Sequence, residues 1–107
     1  MLTHEELMEK CQELRQVIDA LLDVMRENGG IYYPDIDVHG YYMFEMIYMA
    51  DSLWSIYLEN RDSISDEDAK EIIRTIVISG NVAGFAAGTM DIAPEVRMTD
   101  VIWNKLK

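Results

Sequence analysis

The residues with the clearest potential for chemistry lie together in one short stretch of the chain. Residues 35–40 read Asp-Ile-Asp-Val-His-Gly, with carboxylates at the first and third positions and glycine at the sixth. A calcium-binding helix–loop–helix site opens in this way, but it also needs a bidentate Glu at the twelfth position. Met46 stands there instead. Asp37 and His39 have no second His or Cys nearby to complete a transition-metal site. We therefore predict no metal and no cofactor, and expect Asp35 or Asp37 to cap a helix.

Most of the tyrosines surround the same stretch. They are Tyr32, Tyr33, Tyr41, Tyr42 and Tyr48. Tyrosine offers a rigid apolar surface with a polar tip and is favoured at protein interfaces. The pattern leaves three interpretations open: core residues whose hydroxyls reach the surface, a partner-binding surface, or the lining of a small-ligand pocket.

Catalytic patterns are weak in the rest of the sequence. Cys11 is the single cysteine and lies in an apolar row, which predicts a buried thiol. All-helical NTP pyrophosphohydrolases hold magnesium with two pairs of acidic residues, and Glu6 and Glu9 have the spacing of the first pair. In the second pair, Tyr48 stands where a carboxylate is needed before Asp51. We predict that the chain is not an enzyme, and keep a divergent magnesium-dependent hydrolase as a minor alternative.

The charge balance restricts the possible partners. The formal net charge is −11, which repels nucleic-acid phosphates and anionic lipids and attracts basic protein surfaces. No Lys or Arg occurs between Arg26 and Arg61. The longest uncharged run, residues 75–90, is too short and too polar to cross a membrane. We predict a cytoplasmic protein that binds neither nucleic acid nor membrane directly.

The first predicted helix, near residues 3–28, has signals at both ends. Thr3 and Glu6 form a capping-box pattern, and glycines at 29 and 30 stop the helix. The apolar residues between them recur at intervals of four and three, which is typical of a helix packed lengthwise in a bundle. They are Leu7, Cys11, Leu14, Ile18, Leu21 and Met25. On the opposite side we expect two ion pairs between residues four apart, Glu6 with Lys10 and Arg15 with Asp19.

The second predicted helix, near residues 38–60, is the most apolar segment of the chain. Its apolar arc covers roughly 200° of the helix surface, about twice the usual width. We expect its neighbours to cover that arc on two or more sides, including Ile47, Trp54 and Leu58. Its first half, with Glu45 and Tyr48 on the exposed strip, follows an acidic connector. If that connector and the acidic start of the third helix lie at the same end of the bundle, the two form one acidic patch.

The third predicted helix, near residues 65–88, begins with Ser65 as its cap. Gly80, Gly84 and Gly88 then recur every four residues, which on a helix gives a smooth ridge for close packing or self-association. A β-hairpin turning at Gly80-Asn81 is the alternative for residues 79–90. Pro94 suits the first turn of a fourth helix, near residues 94–106. The fold class is therefore all-α, a compact four-helix bundle in a single domain, 1–107.

From size and charge we predict a non-catalytic module that binds a basic protein surface, such as that of a nucleic-acid-binding protein, and blocks it. Nucleic-acid mimics, toxin antidotes and phage-encoded inhibitors of host defence share this profile. The predicted partner-binding residues are Tyr32, Tyr33, Asp35, Asp37, Tyr41, Glu45 and Tyr48. The alternatives are a small-ligand or nucleotide-binding domain with a tyrosine pocket, and a homodimeric structural subunit that uses the glycine ridge.

Overall fold

A computed structural model of the chain describes residues 2–33 and 37–89, and the side chains from residue 42 onward in the second of these ranges. The described residues form three helices, with α1 at His4–Glu27, α2 at Asp37–Asn60 and α3 at Asp66–Gly88. Each helix packs against the other two. The all-α fold class is confirmed, and the predicted fourth helix near residues 94–106 lies outside the described residues.

Local signals fix both ends of α1 as predicted. The Thr3 hydroxyl accepts a hydrogen bond from the Glu6 amide at 3.1 Å, and the Glu6 carboxylate accepts one from the Thr3 amide. At the other end, Gly29 and Gly30 have φ angles of 71° and 86°, a left-handed conformation that glycine adopts at little steric cost. The Gly30 amide donates to the carbonyl of Met25 at 2.8 Å. The capping box and the glycine stop therefore bound the helix within about one residue of the prediction.

The predicted apolar row of α1 forms the centre of the core. All six of its residues are buried: Leu7, Cys11, Leu14, Ile18, Leu21 and Met25. They pack with buried side chains that come from the connector and from the other two helices, namely Tyr32, Met43, Met46, Leu53, Ile72 and Ala86. The row therefore serves as the strip of α1 against which both other helices pack.

The apolar arc of α2 is only partly covered. Met43, Met46 and Leu53 are buried, as expected for the face toward the core. Ile47, Trp54 and Leu58 are exposed instead of buried, so that part of the prediction is wrong among the described residues. The reason is geometric: α1 and α3 cover one side of α2, and its apolar arc is wider than that side.

Helix α3 runs without a break through the segment for which a hairpin was the alternative, so the helical prediction is confirmed from residue 79 to Gly88. Its cap is the predicted Ser65, whose hydroxyl accepts from the Asp68 amide at 3.2 Å. The buried face of α3 carries Ile72 together with polar Thr75 and Ser79. Thr75 donates its hydroxyl proton to the carbonyl of Glu71, so the donor of this buried group is satisfied within α3.

Contacts at the helix ends fix the relative directions of the helices. His4, at the start of α1, pairs with Asp68 near the start of α3. At the other end, the amide of Tyr32 donates to the hydroxyl of Thr89 at 3.1 Å. Helices α1 and α3 are therefore parallel, and α2 runs antiparallel to both. None of the three described helices is long and apolar enough to span a lipid bilayer.

Candidate functional site

Two of the predicted partner-binding residues line a groove between α1 and α2. Tyr48 lines a cleft of about 190 Å³ together with Lys10, Glu13 and Ser52. Glu45 lines a neighbouring cleft of about 380 Å³. Glu13 and Met49 belong to the walls of both clefts, so the two form one continuous depression. We call it the α1–α2 groove.

The floor of the α1–α2 groove is apolar and its rim is polar. Met49 and Ile56 from α2 and Val17 from α1 supply the apolar contact surface. Tyr48 is 74% exposed beside them, which leaves most of the residue available to another molecule. A partially apolar floor inside a polar rim is the arrangement found at many protein interfaces.

Acidic groups outnumber basic ones along this groove. Glu13 and Glu45 stand on opposite walls, and Lys10 is the one cation among the described lining residues. Helix α2 contains no Lys or Arg at all. The ion pairs found among the described residues all join α1 and α3 or lie within them. The acidic side chains of α2 thus keep their charge available to an external cation.

The structure does not bring all the predicted site residues to this groove. Tyr32 is only 1% exposed and belongs to the core, so it cannot contact a partner in this conformation. Tyr33 is half-buried in the connector. Asp35 lies outside the described residues, as do the side chains of Asp37 and Tyr41. Glu45 and Tyr48 are therefore the two predicted residues that the described structure places together.

The described part of the connector and the acidic start of α3 do not meet in the single acidic patch considered above. The connector lies at the end of the bundle where Tyr32 meets Thr89. The acidic start of α3 lies at the opposite end, where Asp68 meets His4. The two acidic segments are thus separated by the length of the helices, because α1 and α3 are parallel.

A second polar cluster ties α1 to α3. His4 Nδ1 lies 2.7 Å from a carboxylate oxygen of the buried Asp68. Arg15 donates to Glu71 at 2.6 Å, and Arg74 binds the other oxygen of the same carboxylate at 3.0 Å. The predicted pair between Arg15 and Asp19 is replaced by this bond between helices, and the ion pairs found among the described residues do not include Glu6 with Lys10. The contacts of His4 and Arg15 cross from α1 to α3, so the cluster acts as a structural link between these two helices.

Cys11 lies beneath this link and is buried, as predicted. Burial raises the pKa of its thiol, which outweighs the opposing effect of the hydrogen bond with Thr75. A thiol with a raised pKa holds its proton at neutral pH and is a poor nucleophile. Within the described residues, no three His, Cys, Asp or Glu side chains are grouped so that they could hold a metal ion.

The predicted glycine ridge is exposed along α3. A Cβ atom added at Gly80, Gly84 or Gly88 would meet nothing within 4 Å. None of the three therefore allows a close helix contact among the described residues. The ridge is continued toward the start of α3 by Val77 and Ile73, which are also exposed.

Comparison of the chain with protein-family models, with curated proteins and with solved structures gives no match.

Sequence reasoning missed part of the groove. Glu13 and Val17 on α1 line it together with Tyr42 and Met49 on α2. One signal was present, because Lys10, Glu13, Val17 and Ala20 follow intervals of three and four beside the buried row of α1. A single sequence does not show which flank of that row faces α2, since that depends on how the helices pack.

Proposed function

We propose that this chain is a non-catalytic binding module whose α1–α2 groove engages a basic protein surface and blocks it. The proposal rests on one observation. Glu45, Tyr48 and Glu13 line the same groove, and its floor is apolar. Such a groove suits Lys or Arg side chains, whose apolar stems lie on the floor while their charged ends reach the carboxylates. A blocker of the nucleic-acid-mimic, antidote or phage anti-defence type fits this description.

The charge of the whole chain supports the same proposal. A net charge of −11 on 107 residues accelerates encounter with a positively charged partner and disfavours a negatively charged one. Tyr48 supplies a rigid contact area, and burial of this area against a partner favours binding. The proposal places the protein in the cytoplasm, where the thiol of Cys11 stays reduced.

The test is affinity capture from the producing cell with three full-length baits. The baits are the natural protein, Glu45→Lys in the groove and, as a control, Asp23→Lys. Asp23 is an exposed residue of α1 that does not line the groove. Both variants change the net charge equally, so a difference between them reports on position. We expect a basic protein to be retained by the natural protein and by Asp23→Lys, with at least tenfold weaker binding to Glu45→Lys.

The salt dependence of the captured complex gives a second measure. A charge-driven interface weakens steeply as salt rises toward roughly 0.5 M, where the screening length is about 4 Å. Binding that is indifferent to this change, or equal retention by both charge variants, would exclude the α1–α2 groove as a site for a basic partner.

The same groove supports a second candidate, a small-ligand or nucleotide site. Tyr42 and Met49 line its larger cleft of about 380 Å³, a volume within the range of known ligand sites. A ligand present at a hundred times its Kd would stabilise the fold by about 2.7 kcal/mol. Thermal unfolding across a panel of nucleotides with and without magnesium checks this candidate, and an unchanged Tm throughout removes it.

The four-helix architecture is part of the proposal too. Pro94 and the apolar residues that follow it, among them Val101, Ile102 and Leu106, have the pattern of one more amphipathic helix. The described helices leave an apolar surface that such a helix would fit.

A further inference from the structure

Helices α2 and α3 each leave a strip of apolar residues exposed to solvent. At about 100° per residue, Ile73 and Val77 fall on the same strip of α3 as the three glycines of the ridge, opposite its buried face. The outer strip of α2 carries Phe44, Ile47, Trp54 and Leu58. We call the two strips together the outer α2–α3 face.

Large apolar side chains on both strips are exposed. Phe44 is 62% exposed and Val77 is 52% exposed. Apolar surface of this extent marks a place where another element packs. The glycines add a flat path along α3, because an approaching helix meets no side chain at Gly80 or Gly84.

The chain itself continues beyond the described part, from residue 90 to residue 107. The predicted helix of residues 94–106 would be about 20 Å long at 1.5 Å per residue. A connection of about five residues after α3 is of ordinary length between antiparallel helices. Folded back along α3, such a helix reaches from Gly88 to the level of Val77. It matches the glycine ridge in length and stops short of Ile73.

Charge favours this segment over a second copy of the chain. Antiparallel to α3, the segment would carry Lys105 and Lys107 to the level of Asp51, since α2 also runs antiparallel to α3. Asp51 is exposed between Ile47 and Trp54, and the ion pairs described above do not include it. A second copy would instead bring another net charge of −11 to the same surface.

We propose that residues 94–107 of the same chain dock on the outer α2–α3 face, over the path from Val77 to Gly88, and complete a four-helix bundle. This rests on the proposed fourth helix and does not depend on the proposed partner. A helix over residues 94–106 would cover Ile47 and Val77 and would not itself reach Trp54, Leu58 or Ile73. The α1–α2 groove, on the other flank of α2, stays open.

Tryptophan fluorescence of the full chain tests the docking. Trp54→Phe leaves Trp103 as the single indole, and docking buries part of that ring. We expect low quenching by acrylamide in this background. Adding Val77→Asp should raise the quenching constant of Trp103 at least twofold, because the charge disrupts the covered path. Adding Ile73→Asp, the matched control on the same strip, should leave it unchanged.

A disulfide cross-link provides the second measurement. In a Cys11→Ala background, Gly84→Cys with Met98→Cys brings two thiols together if the segment runs antiparallel to α3. We expect an intramolecular bond in a monomer on mild oxidation, and none for the control pair Asp19→Cys with Met98→Cys. Disulfide-linked dimers would assign the face to a second copy and overturn the proposal.

A Trp103 that is quenched as strongly as a free indole would also overturn it. Neither measurement involves Glu45 or Tyr48, so failure here leaves the capture experiment on the α1–α2 groove unaffected. Conversely, loss of partner binding does not alter the quenching of Trp103.

Discussion

Helices α1 and α2 have the same length, 24 residues each, but their apolar residues are buried to different extents. Helix α1 has one apolar row, and every residue of that row is buried. Helix α2 is more apolar, yet Ile47, Trp54 and Leu58 remain exposed. Helix α1 also contributes to pairs with α3 through His4 and Arg15, whereas the described part of α2 forms no ion pair.

The difference shows what an apolar pattern can specify. In α1 the polar residues restrict burial to one strip, so the pattern identifies the packed residues individually. In α2 the apolar arc is wider than two neighbouring helices can cover, so the pattern cannot show which part of it is buried. Excess apolar surface on a helix is therefore a sign of a further neighbour.

Core truncation gives the largest expected contrast between the two helices. Leu14 of α1 is 0% exposed and Leu58 of α2 is 44% exposed. Leu14→Ala removes buried methyl groups and leaves a cavity, which should lower the free energy of unfolding by about 2–5 kcal/mol. Leu58→Ala makes the same chemical change at the surface and should cost less than about 1 kcal/mol.

Urea unfolding of both variants measures this contrast. Leu53→Ala is the control within α2, because Leu53 is buried on the same helix as Leu58. It should behave like Leu14→Ala. If Leu58→Ala proved as costly as Leu53→Ala, the exposed side of α2 would have to be covered in solution, beyond the reach proposed for residues 94–107.

The fold was largely predictable from the sequence because its signals are local. Each of these helix ends is set by residues close to it in the sequence. They are Thr3 with Glu6 at the start of α1, the glycines at 29 and 30 after α1, and Ser65 at the start of α3. The uncovered arc of α2 and the bond from His4 to Asp68 were not predictable. Both depend on residues that are distant in the sequence and become neighbours only when the helices pack.

The connector between α1 and α2 should make stability depend on alkaline pH. Burial of Tyr32 raises the pKa of its hydroxyl to about 12, above the ordinary value of about 10. The folded state therefore favours the neutral form, and this stabilisation is complete below about pH 10 and lost as pH rises toward 12. Between about pH 9 and about pH 11.5 the loss amounts to about 2 kcal/mol.

Tyr32→Phe isolates this contribution, since phenylalanine keeps the ring and removes the ionisable group. The free energy of unfolding from urea titrations should fall more steeply with pH in the natural protein than in the variant. Parallel pH dependences in the two proteins would mean that Tyr32 is solvated in solution, and that the connector does not pack on the core.

The start of α1 should be sensitive to loss of its cap. The Thr3 hydroxyl accepts from the Glu6 amide, so Thr3→Ala leaves that donor to water and should cost about 1 kcal/mol. Ser55→Ala removes a hydroxyl from an exposed position within α2 and should change stability by less than about 0.5 kcal/mol. Chemical denaturation resolves the two, and equal effects would contradict a capping role for Thr3.

The candidate site was predictable only in part. The acidic charge and the tyrosines pointed to the first half of α2, and two of those residues, Glu45 and Tyr48, line the α1–α2 groove. Tyr32 shows the limit of that reasoning, because the same residue type fills the core as readily as it forms an interface. The opposite wall, with Glu13, required the packing of α1 against α2.

The smallest expected effect is the difference in strength between two ion pairs that share the carboxylate of Glu71. Arg15 of α1 binds Glu71 across the helix interface with its side chain 37% exposed, whereas Arg74 binds it within α3 and is 62% exposed. Double-mutant cycles with Glu71→Gln should give a coupling of about 1 kcal/mol for Arg15→Met and about 0.3 kcal/mol for Arg74→Met. The first pair is the stronger because it is less hydrated and joins two elements already held by the core. Equal couplings would show that the Arg15 pair gains no strength from crossing the helix interface.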